Sequence, residues 1–343
     1  MILDGHLSAA IAAAAHALRG GALLGLPTET VYGLAADASS DRAVAQIFAA
    51  KGRPSDHPLI VHVADASGIA HFASAVPVFA QALVDAFWPG PLTLILPRRA
   101  GVARAATGGQ DSVGLRCPAH PVAHAVLRAC AADGDSAALG GPPVWGVAAP
   151  SANRFGRVSP TTAAHVQSEF GAALLVLDGG ACRVGIESTI VDCTRGVPVL
   201  LRPGAITRAQ IEAACGLRLL SKEELSAHTP RAPGTLLAHY APSAPVRLMD
   251  AATLQAALDA LDASATAAPT LAVYARTPLH SRAAQVALHT MPDDANATAA
   301  ELFAMLRRFD DQGARDIWIE MPPGTPDWEG VRDRLQRAAA ASA

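Results

Sequence analysis

The chain has 343 residues, 51% of them apolar and 17% charged, with a formal net charge of −3. That describes a globular protein long enough for two domains, and it excludes a broad basic field able to hold nucleic acid by charge alone. The five cysteines, Cys117, Cys130, Cys182, Cys193 and Cys215, form no C-x-x-C pair and are odd in number, which fits reduced thiols in a cytoplasmic protein better than a disulfide framework or a zinc site. No apolar run reaches membrane-spanning length. The alanine-rich start, Ser8 to Leu18, follows Asp4 without a basic n-region, so it reads as an amphipathic first helix and not as a signal peptide.

Ala22 to Leu26 is a short apolar run that stops at Pro27, the pattern of a buried strand ending in a polar elbow, here Pro27-Thr-Glu-Thr-Val-Tyr-Gly33. Val44, Ile47 and Phe48 fall at helical spacing, which predicts a helix from Asp41 to Ala50, ended by Gly52 with Pro54 just beyond. Lys51 and Arg53 then sit at a helix C-terminus, where the dipole favours cations in any protein. Pro58 to Val63 is a compact apolar run with His62 its one polar side chain. Alone, such a residue is more often a core histidine. Together the segment offers hydroxyls, two cations and an imidazole at strand ends, where open α/β sheets hold ligands, and this points to an anion and small-molecule site.

Val76 to Phe87 is a second helical pattern, broken by Trp88-Pro-Gly-Pro91 and followed by a strand, Leu92 to Leu96. Ser112 to Arg116 is another strand. Arg116 appears as the chain leaves it and is a surface residue unless a carboxylate or phosphate meets its fork. Residues 131–143 have no period and are expected to be an exposed loop. The strand Val144 to Ala149 ends in Pro150-Ser-Ala-Asn153, small residues that suit an oxyanion or phosphate but are also ordinary turn formers. Ser159 is expected to cap a helix with Pro160 at its first position, and that helix end could face an anion. Three strands follow, Leu174 to Leu177, residues 185–192 carrying Ser188, and residues 197–204 carrying Arg202.

The tail alternates strand (Val246 to Met249), helix (Ala252 to Leu261), strand (Leu271 to Ala275), helix (Ala297 to Phe309), strand (Asp316 to Glu320) and a last helix from Trp328. That is βαβ alternation, so a small Rossmann-like domain is expected, without a G-x-G-x-x-G and so without an assigned dinucleotide. The expected organisation is a first domain at 1–219, a linker at 220–243 and a C-terminal domain at 244–343.

In series, P-T-E-T-V-Y-G-L, K-G-R-P, P-L-I-V-H-V, W-P-G-P-L-T, A-P-S-A-N, E-S-T-I-V-D and L-L-R-P-G resemble the YrdC/Sua family of threonylcarbamoyl-adenylate synthases over nearly all of residues 10–217. Each motif is weak alone; seven in order are specific. The segment His239-Tyr-Ala-Pro242 resembles the linker of the family's long, two-domain form. The resemblance implies a twisted open mixed α/β sheet around a large positively lined cavity. It also implies synthesis of L-threonylcarbamoyl-adenylate and pyrophosphate from L-threonine, bicarbonate or CO2, and ATP, for N6-threonylcarbamoylation of adenosine 37 in tRNA.

By position, the resemblance implies a threonine pocket of Thr30, His62, Arg116, the backbone around Ala149, and Ser188. It implies a nucleotide side of Lys51, Arg53, His57, Ser112, Ser151, Asn153, Ser159 and Arg202, with Tyr240 from the linker, and Lys51 and Arg53 as the catalytic cations. Mg2+ would arrive with ATP and need no protein cage. A downstream tRNA threonylcarbamoyl-transfer machinery would take the product, and the linker, with Gly234 as a hinge and Pro242 as a stiffener, would cover the site. Two departures stand out: residues 131–143 look inserted, and Leu236, Leu237 and Ala238 stand where many relatives have basic residues. Two other classes compete. A double-stranded RNA or tRNA-binding module is opposed by the overall charge and the lack of an aromatic platform. A carbamoyl transferase subunit like those of hydrogenase maturation would carry cysteine-rich zinc modules, absent here. A P-loop ATPase is excluded, since G-x-x-x-x-G-K-[ST] occurs nowhere.

Overall fold

The structure is a computed structural model that describes residues 1–133, 140–224, 231–234, 239–261 and 270–341. The chain divides into two compact units, residues 1–155 with 159–235, and residues 156–158 with 236–343. Leu236, Leu237 and Ala238, and residues 134–139 of the expected inserted loop, lie outside the described residues.

Among the described residues the first unit has eleven strands: β1 (Ile2–Asp4), β2 (Leu24–Leu26), β3 (Gly33–Asp37), β4 (Ile60–His62), β5 (Leu92–Pro97), β6 (Ser112–Arg116), β7 (Val147–Ala148), β8 (Leu175–Asp178), β9 (Thr189–Asp192), β10 (Val199–Arg202) and β11 (Leu220–Ser221). Their order is β1-β8-β2-β3-β7-β4-β6-β5-β9-β10-β11. The sheet is mixed, as expected: β4–β6 and β5–β9 run parallel, whereas β5–β6 and β4–β7 run antiparallel. Central strands are buried along their length, as Leu92, Leu94, Ile95, Val113 and Leu115 show, because helices cover the sheet.

Helix α1 (Ser8–Arg19) buries Ala10, Ala14 and Leu18, four apart and so on one face, in one core with Val122 and Val126 of the helix Pro121–Ala131. Helix α2 (Asp41–Lys51) buries Val44, Ile47 and Phe48, the triplet that predicted it. Ser40 caps its start by accepting from Ala43 N, and Gly52 closes it in the left-handed region at φ +63°.

One local expectation is corrected. The helix placed after Ser159 begins only at Ala163, and its cap is Thr162, whose hydroxyl accepts from His165 N. Ser159 is wholly buried and donates to Glu187 Oε1 at 2.5 Å. A carboxylate close in space competes better for that hydroxyl than a helix end three residues away.

The second unit holds a four-stranded, all-parallel sheet, β12 (Val246–Met249), β13 (Leu271–Ala275), β14 (Val286–Thr290) and β15 (Asp316–Glu320), in the order β12-β15-β13-β14. The helices Ala251–Asp259, Ala295–Asp311 and Glu329–Ala340 complete the βαβ pattern. Strand β14 was not expected: it is a half-exposed edge with Leu288 in solvent, and its apolar residues are too few to announce it.

Candidate active site

Sheet register gathers the expected threonine residues. Strands β4 and β6 are parallel with His62 opposite Arg116, and both residues close their strands. Strand β5 runs the other way, so one step beyond the Leu94–Leu115 pair its Thr93 faces Arg116. Strand β9 lies parallel to β5, with Leu92 opposite Thr189, which brings Ser188 to the same sheet end. There Thr93 Oγ1 and Ser188 Oγ are 2.7 Å apart. Ala149 is the next neighbour, its N–H donating to Ile60 O at 3.0 Å.

Arg116, a surface residue by default, is buried. Its Nε donates to Gly90 O at 3.2 Å, its Nη1 donates to Thr30 Oγ1 at 2.7 Å, and its Nη2 lies 2.7 Å from Glu29 Oε1. Thr30 is placed by an elbow that Thr28 folds on itself, Thr28 Oγ1 donating to Val31 O at 2.6 Å and lying 2.9 Å from Thr30 Oγ1. Burial, then the positive charge of Arg116, pushes the His62 imidazole down to about 3. It is therefore neutral at ordinary pH and offers this site hydrogen bonding without charge.

The expected nucleotide residues form two clusters. In the first, Lys51 Nζ donates to Ser151 O at 2.5 Å and to Asn153 O, so the helix-terminal lysine ties down the Ala149–Asn153 loop. Backbone bonds hold the same loop to the elbow: Leu34 N donates to Pro150 O at 2.8 Å and Ala152 N to Tyr32 O at 2.8 Å. Burial, and then the charge of Arg53, holds the Lys51 ammonium well below the usual lysine value, with Glu169 and Glu187 opposing.

In the second cluster, Arg53 Nη2 donates to Pro58 O at 2.9 Å, and its guanidinium lies 5.8 Å from the centre of the Phe155 ring. His57 meets that ring edge-on at 5.7 Å, and burial followed by Arg53 lowers its pKa. Ser112 belongs here by register. It opens β6, two residues before the Ile60–Gly114 pair, and so lies beside Pro58. It is about 13 Å of strand from Arg116, at 3.3 Å per residue.

Two expected nucleotide residues are engaged elsewhere. Arg202 donates from Nε and Nη2 to Ser188 O at 3.0 and 2.8 Å, and from Nη2 to Ser188 Oγ at 3.1 Å, joining it to the threonine set. Tyr240 is buried in the second unit at φ +63°, its ring 5.4 Å from Phe303 and beneath the Arg334 guanidinium. Sequence reasoning missed Glu29, Thr93, Phe155 and Glu187. Glu29 and Glu187 stood inside quoted motifs, and for Glu29 a carboxylate between two hydroxyls was the available signal. Among the described residues no three His, Cys, Asp or Glu side chains converge to hold a metal ion.

A family profile described as telomere recombination matches residues 16–204, and one described as threonylcarbamoyl-AMP synthase, C-terminal domain, matches residues 206–340. The chain belongs to the threonylcarbamoyl-AMP synthase family. It is 37% identical over 340 residues to the threonylcarbamoyl-AMP synthase of Bacillus subtilis, covering 96% of this chain and 92% of that one. It is 44% identical over 240 residues to the threonylcarbamoyl-AMP synthase of Pyrococcus abyssi, covering 69% and 67%. The fold is similar to the crystal structure of P. abyssi Sua5 complexed with L-threonine, at TM-score 0.83 and 35% identity over 97% of this chain and 94% of that one. Family membership therefore rests on both halves of the chain.

Proposed function

We infer that this protein is a threonylcarbamoyl-AMP synthase, joining L-threonine, bicarbonate or CO2, and ATP into L-threonylcarbamoyl-adenylate with release of pyrophosphate, to supply the N6-threonylcarbamoylation of tRNA. The observation that carries this reading is the buried row of His62, Arg116 and Thr93 on three adjacent strands, flanked by Ala149 just past the end of β7 and Ser188 just before β9, in a chain similar over nearly its full length to enzymes of that name. An RNA-binding surface would be exposed and basic; this row is buried and carries one cation, Arg116.

Three tasks follow from the chemistry. The amino acid must be held by its carboxylate, which suits the fork of Arg116. Its hydroxyl and methyl need small polar and apolar neighbours, which Thr30, Ser188 and neutral His62 supply. The carbamate oxygen must then meet the α-phosphorus while negative charge on the leaving pyrophosphate is neutralised, a task of positioning and electrostatics. Lys51 and Arg53 are the cations for it, with His57, Ser112, Ser151, Asn153 and Ser159 around the nucleotide and Tyr240 retained as a candidate contact. Mg2+ enters as the partner of the triphosphate, which binds it with little help from protein ligands. We place the reaction in the cytoplasm, with a tRNA-modifying partner taking the adenylate; no helix among the described residues is long and apolar enough to cross a membrane.

The test is direct. Purified protein given ATP, bicarbonate and L-threonine should release pyrophosphate only when threonine is present, in step with threonylcarbamoyl-adenylate seen by mass spectrometry. Absence of threonine-dependent pyrophosphate overturns the reading.

A further inference from the structure

Glu29 stands between the two threonines of the elbow and is 3% exposed. Its Oε1 is 2.7 Å from Arg116 Nη2. Among the described residues neither Glu29 carboxylate oxygen accepts a hydrogen bond, and Arg116 Nη2 donates none, so the contact is one of charge without an aligned N–H. Two buried ionic groups therefore keep unspent capacity: acceptor lone pairs on the carboxylate, and donor protons on the guanidinium. Burying such a pair is expensive, and leaving its hydrogen-bonding groups unused adds to the cost, so an arrangement of this kind stabilises a fold poorly. It suits a ligand that supplies the missing partners.

The ligand is defined by the charges. A guanidinium and a carboxylate side by side are the mirror of an α-amino-acid zwitterion, the first matching its carboxylate and the second its ammonium. We propose that Glu29 receives the α-ammonium of L-threonine, its carboxylate accepting a charge-assisted hydrogen bond, and so selects substrates that carry a free α-amine. The proposal rests on the threonine reading of Arg116 above. It gives the elbow two functions: the Thr30 hydroxyl orients Arg116 from one side, and Glu29 orients the nitrogen that becomes the carbamate from the other. A charge-assisted hydrogen bond at a buried site is about twice as strong as a neutral one, which is ample for a tenfold preference.

The test compares L-threonine with 3-hydroxybutanoate, which keeps the carboxylate, hydroxyl and methyl but lacks the amine. Both are titrated calorimetrically into the full-length protein. The wild type should bind threonine at least tenfold more tightly than 3-hydroxybutanoate. Glu29→Gln, of nearly the same shape, should weaken threonine at least tenfold without weakening 3-hydroxybutanoate. Equal loss for both ligands would reduce Glu29 to a support for Arg116 and overturn the proposal, as would unchanged threonine binding. Should Glu29→Gln not fold, judged by melting temperature and ATP binding, the wild type still decides: equal affinity for the two ligands overturns the proposal with no variant needed. Arg116→Lys is the control for the underlying reading. If it leaves threonine binding intact, the pocket itself is misassigned; if it weakens both ligands while Glu29→Gln does not discriminate between them, only the role of Glu29 falls.

Discussion

Lys51 and Arg53 are two residues apart, and their surroundings set them different tasks. Lys51 is buried and donates to two carbonyls of the 149–153 loop, whereas Arg53 is half-buried against Phe155 and donates to Pro58 O. Replacing Lys51 by Met leaves two carbonyl oxygens without their donor, at about 1–3 kcal/mol for each buried group left unsatisfied. Lys51→Met should therefore lower both the urea midpoint and the rate of pyrophosphate release. Arg53→Ala should lower the rate at least about tenfold, by loss of one charged hydrogen bond of roughly 1.5–3 kcal/mol to the nucleotide, while lowering the urea midpoint less than Lys51→Met does. Equal rates in wild type and Arg53→Ala would return Arg53 to the role of a helix-end cation. The sequence alone could not separate the two, because burial of Lys51 depends on a loop a hundred residues further along the chain. For the same reason Glu29 passed unnoticed: its meaning lies in Arg116, eighty-seven residues further along the chain and on a strand that the sheet order β2-β3-β7-β4-β6 separates from β2 by three others.

Helix α2 delivers both cations, and Gly52 decides where it stops. At φ +63° Gly52 is in the left-handed region, and a Cβ there would meet nothing within 4 Å, so the strain of substitution is purely one of backbone. Gly52→Ala should cost roughly 1–2 kcal/mol of stability, and Gly52→Asn less, since asparagine tolerates that region. Urea unfolding of the three proteins checks the order; an alanine variant as stable as wild type would mean that the helix end relaxes. This helix was legible from the sequence because apolar spacing, a first-turn acid and a glycine stop all agreed. Strand β6 was legible for a similar reason, bounded at Ser112 and Arg116 by polar residues. Strands β1, β11 and β14, the strand β3 that leaves the elbow, and the helices Pro121–Ala131 and Arg208–Cys215, were not anticipated. The first three are short or half-exposed edges, and the helices lie next to stretches rich in proline, glycine or alanine that blur the period. The ends of the expected inserted loop show what such a stretch can hide: buried Arg19 donates to Ala132 O at 2.7 Å and to Pro142 O at 3.2 Å, tying both ends to α1.

At the scale of the molecule, contacts place the end of the first unit later than residue 219. Strand β11 pairs with β10, Ala232 joins a core with Ile190 and Val199, and Arg202 Nη1 donates to Pro233 O at 3.0 Å. A fragment ending at residue 234 should unfold cooperatively, whereas one ending at 220 should melt at a lower temperature, having lost those contacts; equal melting would make 221–234 dispensable. The pH dependence of the whole chain has a defined sign as well. Burial lowers the pKa of His57, His62, His71, His120 and His289, so below about 6.5 the unfolded chain takes up protons that the folded chain refuses. The unfolded state then binds more protons, and stability rises with pH through that window and levels off above it. His62, held down to about 3, stays neutral in the fold throughout the range from pH 6.5 to 5 and contributes a loss of about 2 kcal/mol over it, at 1.36 kcal/mol per pH unit. Asp37, whose pKa burial raises, acts with the opposite sign, and the comparison of wild type with His62→Gln cancels its contribution. Melting temperature should fall from pH 7 to pH 5 in the wild type and fall less steeply in His62→Gln. Parallel profiles for the two proteins would mean that His62 takes a proton without unfolding, and its place as a neutral group beside Arg116 would have to be given up.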